Sequence, residues 1–470
     1  MKMKMKMKMK KKGSGISDTI KAKIKYLRVC KSCRVIEQDL VIWKKKHCPL
    51  CGSSTAQYVM PASVKANGAK AKVKENGSFS VDKSQMSIIS MVTGRTKDFD
   101  CPGFVSNIIK GPVVTEYEFT PDRFTRIKKL RTLDEDLALA LSVDTVSIRR
   151  IPGRPCIGIS IPNADRTEVT FKSSLENVIK KSDTMAVPLN FGIMSDGSPY
   201  VEDLAEYPHL LVGGATGTGK SVLLHQLISS LLLVRSPKQL QFVFIDPKTV
   251  ELFSYKGIPH LAMEPVSTVW RAIDVLSEVI KTMKDRTEIL HAHQTSNIKE
   301  FNSKIMGRVE AHRVSGDENL AREELKRLWP YIVVVIDEFA DIVIQEKKSF
   351  INRMASISQM ARASGISVIA ATQRPSVDVL PGKVKVNFLA RAAFRMPSAR
   401  DSQTVLNYRG AETLLGKGDM FMLSPDKTGL QRIHVAHCRR EDRDGIIRRA
   451  VGLGYSEHGI LLGGEIKKEG

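Results

Sequence analysis

The chain has 470 residues, 42 % hydrophobic and 26 % charged; that is too long for one ordinary domain, and the balance excludes wholesale disorder, collagen and a disulfide scaffold. Lys and Arg outnumber Asp and Glu by 73 to 50, a net +23, which implies a polyanionic partner such as nucleic acid or an anionic membrane. The excess is uneven: residues 1–85 hold 21 basic against 5 acidic side chains, and the other 385 residues hold 52 against 45.

Residues 1–23 open on a lysine–methionine repeat ending near a Gly-Ser-Gly. They read as a basic low-complexity tail or appended leader, or else as an arm that touches phosphates. No apolar stretch follows the lysines, so the start does not resemble a signal peptide. Residues 24–62 carry Cys30-x2-Cys33 and Cys48-x2-Cys51, fourteen residues apart. Two such knuckles can set four thiolates tetrahedrally around Zn²⁺. The expectation is a structural zinc ribbon whose folding free energy comes mostly from the metal. Lys31, Arg34, Lys44, Lys45, Lys46 and Trp43 surround it; they suit nucleic acid, a docking protein or a solvated surface. Residues 63–85 are small, polar and basic, a flexible linker.

Residues 86–190 alternate short β-branched runs (113–119, 146–151, 157–161) with Gly-Pro turns. The acidic start of Thr132–Ser142 predicts a helix that Thr132 can cap. This is a smaller α+β unit. Residues 191–445 change character: fully apolar strands recur at 210–212, 242–245, 332–336 and 368–371, separated by helical segments. That pattern implies an α/β domain with a mainly parallel sheet covered on both faces. Residues 446–470 are left as a C-terminal tail. The apolar run Val222–Val234 contains His225, Gln226 and two serines, too short and polar for a bilayer. Cys101, Cys156 and Cys438 have no matching spacing and read as packing residues in a reducing, cytoplasmic setting.

The strand at 210–212 runs into Gly214-Ala215-Thr216-Gly217-Thr218-Gly219-Lys220-Ser221, with Val222 behind it: GxxxxGK[ST] in strand–loop–helix context. Glycines let successive backbone N–H groups turn inward around a phosphate. The helix that follows adds its positive end. Lys220 can reach the β- and γ-phosphates of ATP, and Ser221 can ligate Mg²⁺. The strand at 332–336 ends in Asp337-Glu338, a costly acidic pair unless it meets a metal or a water cleft. The expected roles are Asp337 at Mg²⁺ and Glu338 polarising the attacking water. Asp341, one turn on, reads as a surface residue. The strand at 368–371 ends in Thr372-Gln373, and Gln373 can sense the γ-phosphate.

These residues, with FIDPKTVEL (244–252), ARASGI (361–366), ATQRPSVDV (371–379) and LLGKGDM (414–420), resemble the FtsK/SpoIIIE family of DNA translocases. GPVVTEYEF (111–119), DLALALS (136–142) and IPNADR (161–166) extend the resemblance upstream, in matching order. It implies a RecA-like P-loop ATPase that assembles as a hexameric ring and drives double-stranded DNA through its pore. It also implies that Arg362 reaches a neighbouring subunit's site as an arginine finger, with Arg391 and Arg400 as competitors. Arg374, Lys383 and Lys385 become candidate DNA contacts. The membrane-spanning helices and the C-terminal winged helix common in the family are not seen here. A protein-transport or packaging ATPase, or a nucleotide-gated DNA-binding switch, remain alternative expectations.

Overall fold

The structure, a computed structural model, describes residues 27–30, 36–37, 56–59, 83–151 and 153–452. The chain divides into two compact units, between Ser106 and Asn107. In the first, β1 (Leu27–Cys30), β2 (Ile36–Glu37) and β3 (Ala56–Val59) form an antiparallel sheet in the order β2-β1-β3, with Arg28 opposite Glu37 and Cys30 opposite Ala56. Cys33, Cys48 and Cys51 lie outside the described residues, so the expected zinc ligands are not placed. The same unit holds α1 (Lys83–Asp98), and β4 (Gly103–Lys110) leads out of it.

The second unit begins with an antiparallel sheet. It contains β5 (Val114–Pro121), β6 (Ser147–Arg150) and β7 (Ile157–Pro162), with β4 on the β5 edge. Glu116 and Glu118 on β5 are buried, and each meets a guanidinium, Arg149 at 2.6 Å and Arg154. Between the strands lie α2 (Ile127–Leu130) and α3 (Asp134–Leu141). The expected cap is absent: the Thr132 hydroxyl donates back to the Lys129 carbonyl at 2.7 Å, and Leu133 occupies the cap position. Three acidic residues in the first turn instead complement the helix dipole. α4 (Phe171–Ser182) is capped by Thr170, whose hydroxyl accepts from the Ser173 amide.

The main sheet has nine strands. In chain order they are β8 (Pro188–Met194), β9 (Pro199–Asp203), β10 (His209–Gly213), β11 (Leu240–Ile245), β12 (Tyr331–Ile336), β13 (Ile366–Thr372), β14 (Ala390–Phe394), β15 (Asp419–Leu423) and β16 (Leu430–His434). Their order is β11-β12-β13-β10-β14-β15-β16-β8-β9. The first five are parallel and the remainder pair antiparallel. The helices are α5 (Lys220–Val234), α6 (Val269–Ala292), α7 (Ile298–Val314), α8 (Glu318–Leu325), α9 (Phe339–Ser364), α10 (Gly382–Lys385), α11 (Ala399–Leu406) and α12 (Arg440–Gly452).

The continuous apolar strands follow from this layering. Leu210, Val212, Phe242, Phe244, Val333 and Val335 join one core with the apolar face of α5. Their alternate neighbours Leu211, Val243, Ile245, Val334 and Ile336 join a second core with α6 and α9. Side chains alternate faces along a strand, so a sheet with helices on both faces needs apolar residues at every position. α5 itself is buried nearly all round and lacks the polar stripe of a surface helix.

Candidate nucleotide site

Neighbouring strands β12, β13 and β10 end side by side, and each delivers functional groups to the same edge of the sheet. β10 feeds the loop at 214–219 and then α5. Gly219 has φ +123°, and a Cβ there would meet the Gly418 amide at 2.8 Å. A Cβ on Gly214 would meet Phe394 at 2.7 Å. Both glycines are therefore required by close packing beneath the loop. The loop carries the unpaired first amides of α5 toward a cavity of about 590 Å³, reached by Val169, Ser221, Gln373, Gly418 and His434.

Lys220 is 3 % exposed and donates to the Asp337 carbonyl and to Asp337 Oδ1, both at 2.7 Å. Asp337 is equally buried. Burial pushes its carboxyl up, and Lys220 opposes that rise. Glu338, 1 % exposed, is held at three points. One oxygen accepts from the Ala340 amide at 3.4 Å and so caps α9. The other accepts from the Gln373 amide at 2.9 Å and lies 3.7 Å from Lys248 Nζ. The Gln373 carboxamide oxygen accepts from Thr216 of the loop at 2.7 Å. So Lys220, Ser221, Asp337, Glu338 and Gln373 converge on one edge.

Other expected residues lie apart from this cluster. Arg362 sits two residues before the end of α9, ahead of β13. β13 is seven residues long, so its starting edge lies about 20 Å from the edge that carries the loop. Arg362 pairs with Glu206 at 2.7 Å; the two side chains are 68 % and 57 % exposed. Arg391 is no finger: it is buried and donates to the carbonyls of Phe388, Val405 and Lys385. Arg400 is exposed at the start of α11. Arg374 and Lys383 are exposed on the segment that leaves β13. Lys385 is half-buried, and burial together with nearby Arg391 lowers its pKa.

Sequence reasoning passed over the turn after β11. Asp246 is fully buried, and its carboxylate accepts from the amides of Lys248, Val250, Glu251 and Leu252 at 2.9–3.1 Å. The turn therefore presents Lys248 to Glu338 and Glu251 to Ser221. The signal was available: Asp246-Pro247-Lys248 ends an apolar strand just as Asp337-Glu338 does. The far cavity wall, residues 166–169 and 415–419, carries no comparable signal.

What the residues present fit is a nucleotide with its metal. The cradle has closely packed glycines, a buried lysine, and a hydroxyl beside carboxylates. Ser221 and Asp337 would hold Mg²⁺, a hard cation that favours oxygen ligands.

The FtsK/SpoIIIE family model matches residues 173–377, and the FtsK alpha domain model matches residues 70–163. A DNA translocase FtsK from Haemophilus influenzae is 37 % identical over 394 residues, covering 79 % of this chain and 74 % of that protein. The DNA translocase FtsK of Rickettsia typhi is 38 % identical over 350 residues, 72 % of this chain and 47 % of its own. That of Staphylococcus aureus strain Mu50 is 36 % identical over 392 residues, 83 % and 47 %. The chain thus spans about half the length of the latter two relatives. Among solved structures, the pCW3 conjugation coupling protein TcpA with ATPγS matches with a TM-score of 0.51 at 18 % identity, covering 77 % of this chain and 99 % of that one. The cytoplasmic domain of the Thermomonospora curvata type VII secretion ATPase EccC matches at 0.50 and 21 % identity, covering 64 % and 36 %. These two matches speak to the fold.

Proposed function

The chain belongs to the FtsK/SpoIIIE family, and on that premise we propose that it is an ATP-driven motor that moves double-stranded DNA through a ring of its own copies. The observation that carries the reading is the convergence of Lys220, Ser221, Asp337, Glu338 and Gln373 at the ends of three adjacent strands. Lys220 leaves Asp337 to meet the β- and γ-phosphates of ATP. Bound Mg²⁺ supplies charge neutralisation at those phosphates, with Ser221 and Asp337 as its protein ligands. Glu338, already oriented by two amides, accepts the proton of the attacking water. Gln373 reads the γ-phosphate from the loop side, through the position it shares with Thr216.

Arg362 acts in trans, since the length of β13 separates it from its own cradle. Its exposed pair with Glu206 is of the kind that contributes little and breaks readily. A hexamer is the assembly we propose, after the family. Arg374 and Lys383 face DNA. Arg374 directly follows Gln373, so the phosphate sensor and the proposed duplex contact are consecutive residues. Lys385 joins them less readily because it is half-buried. We further propose that Cys30, Cys33, Cys48 and Cys51 hold Zn²⁺ in a closed structural site ahead of the motor. The cysteine usage supports a reducing, cytoplasmic setting. No helix among the described residues is long and apolar enough to cross a membrane.

The deciding experiment measures ATP hydrolysis by the full chain with and without long linear duplex DNA. We expect stimulation by duplex, and its loss in Lys220→Ala. Hydrolysis indifferent to duplex would remove the DNA assignment while leaving the ATPase in place.

A further inference from the structure

Glu251 was not expected at the site, yet it touches one of its central atoms. It follows the Asp246 turn, whose four amide bonds fix its backbone. Its carboxylate shares a hydrogen bond with the Ser221 hydroxyl. Glu251 Oε2 also lies 2.9 Å from His225 Nε2, one turn along α5 from Ser221. His225 is itself buried, with Nδ1 3.0 Å from the Tyr255 hydroxyl. An ionised carboxylate only accepts. The hydroxyl proton of Ser221 must therefore point at Glu251, which turns the oxygen lone pairs away from Glu251 and toward the cavity.

We propose that Glu251 is a positioning residue for Mg²⁺, taking the Ser221 hydroxyl proton so that the serine oxygen presents a lone pair to the metal, with His225 holding Glu251 in place. This rests on the nucleotide-site reading above and names the residue that orients its metal ligand. Carboxylates behind a ligand raise that ligand's basicity and fix its direction. The His225 and Ser221 hydrogen bonds hold the Glu251 carboxyl down to about 2, so it is ionised and ready to accept under all working conditions. Asp337 cannot take this role while Lys220 occupies Asp337 Oδ1.

The test is equilibrium binding of Mn²⁺ to the full chain with ATPγS, read by electron paramagnetic resonance. Nucleotide affinity is measured separately in EDTA. Glu251→Ala should weaken Mn²⁺ binding about 10- to 100-fold and leave divalent-free nucleotide affinity unchanged. Glu251→Gln keeps an acceptor for Ser221 and should recover part of the loss. In the Ser221→Ala background, Glu251→Ala should add almost nothing, because one path carries both effects. Unchanged Mn²⁺ affinity in Glu251→Ala would overturn the proposal, and so would an equal loss in the divalent-free measurement. Lys220→Ala is the separate control. If it leaves nucleotide affinity intact, the nucleotide-site reading itself fails.

Discussion

Glu338 is an unusual residue for a surface that must handle water. It is almost fully enclosed, yet both of its oxygens are occupied by backbone amides, at 3.4 and 2.9 Å. Amide bonds to the charged form favour ionisation, and they fix the carboxylate's direction before any substrate arrives. Glu338→Gln preserves shape and the cap of α9 but cannot accept a proton. We expect ATP hydrolysis to fall on the order of 10²–10⁴-fold, while nucleotide affinity in a filter-binding assay stays near its original value. Comparable losses in binding and turnover would show that Glu338 is structural. The expected acidic pair was legible because Asp337-Glu338 breaks a wholly apolar strand. Glu251 was not, because its importance depends on how the chain turns back beneath α5, which no local pattern reveals.

Among the elements, the turn after β11 does the most with the fewest residues. One buried carboxylate, Asp246, satisfies four amides that would otherwise be stranded at the edge of the sheet. It also tolerates the left-handed Thr249, at φ +56°. Asp246→Ala should destabilise the protein by about 2–4 kcal/mol, since several donors lose a charged acceptor. It should also weaken divalent binding through displaced Glu251, and denaturant titration with Mn²⁺ binding on the same sample reads both. Normal stability with normal metal binding would mean water replaces the carboxylate fully. Strand positions here were readable from hydrophobic runs, and β10, β11, β12 and β13 lie where those runs stand. The antiparallel strands β8, β9, β15 and β16 were not singled out. They mix polar and apolar residues, as in Arg432 and His434, whose partner Asp419 becomes apparent only across the β15–β16 ladder. The capping role given to Thr132 failed for a related reason: its hydroxyl found the preceding turn's carbonyl closer at hand.

At the scale of the whole molecule, the charge that dominates the composition lies ahead of the motor. The main body folds around buried neutral histidines as well as apolar cores. Burial brings His209, His260 and His434 each down to about 4. Unfolded histidine titrates near 6.5, so the unfolded chain takes up these protons first as the solution is acidified. Stability from these rings is complete above about pH 6.5 and declines as pH falls toward 4, on the order of 3 kcal/mol for each ring. His209→Leu, which keeps the packing against Phe388, should flatten that acid limb in denaturant titrations between pH 7 and 4.5. An identical limb in the variant would assign the acid sensitivity elsewhere. Fold class and layer order were legible because two-sided burial leaves continuous apolar runs. The long separation of Arg362 from its own cradle was not, because it depends on which end of β13 the helix meets.

β10 and β13 are joined in parallel register from His209 opposite Val368 to Gly213 opposite Thr372, and the loop at Gly214 is tied to the Thr372 carbonyl at 3.2 Å. Strands locked along their whole length cannot slide past one another without breaking the ladder. The sheet is then a bearing, stiff enough to relay a small displacement from the phosphate loop to Gln373 undiminished, and too stiff to amplify it. Any stroke long enough to advance a polymer has to be produced outside that bearing, by the segment beyond Arg374 or by whole copies of the chain turning against each other.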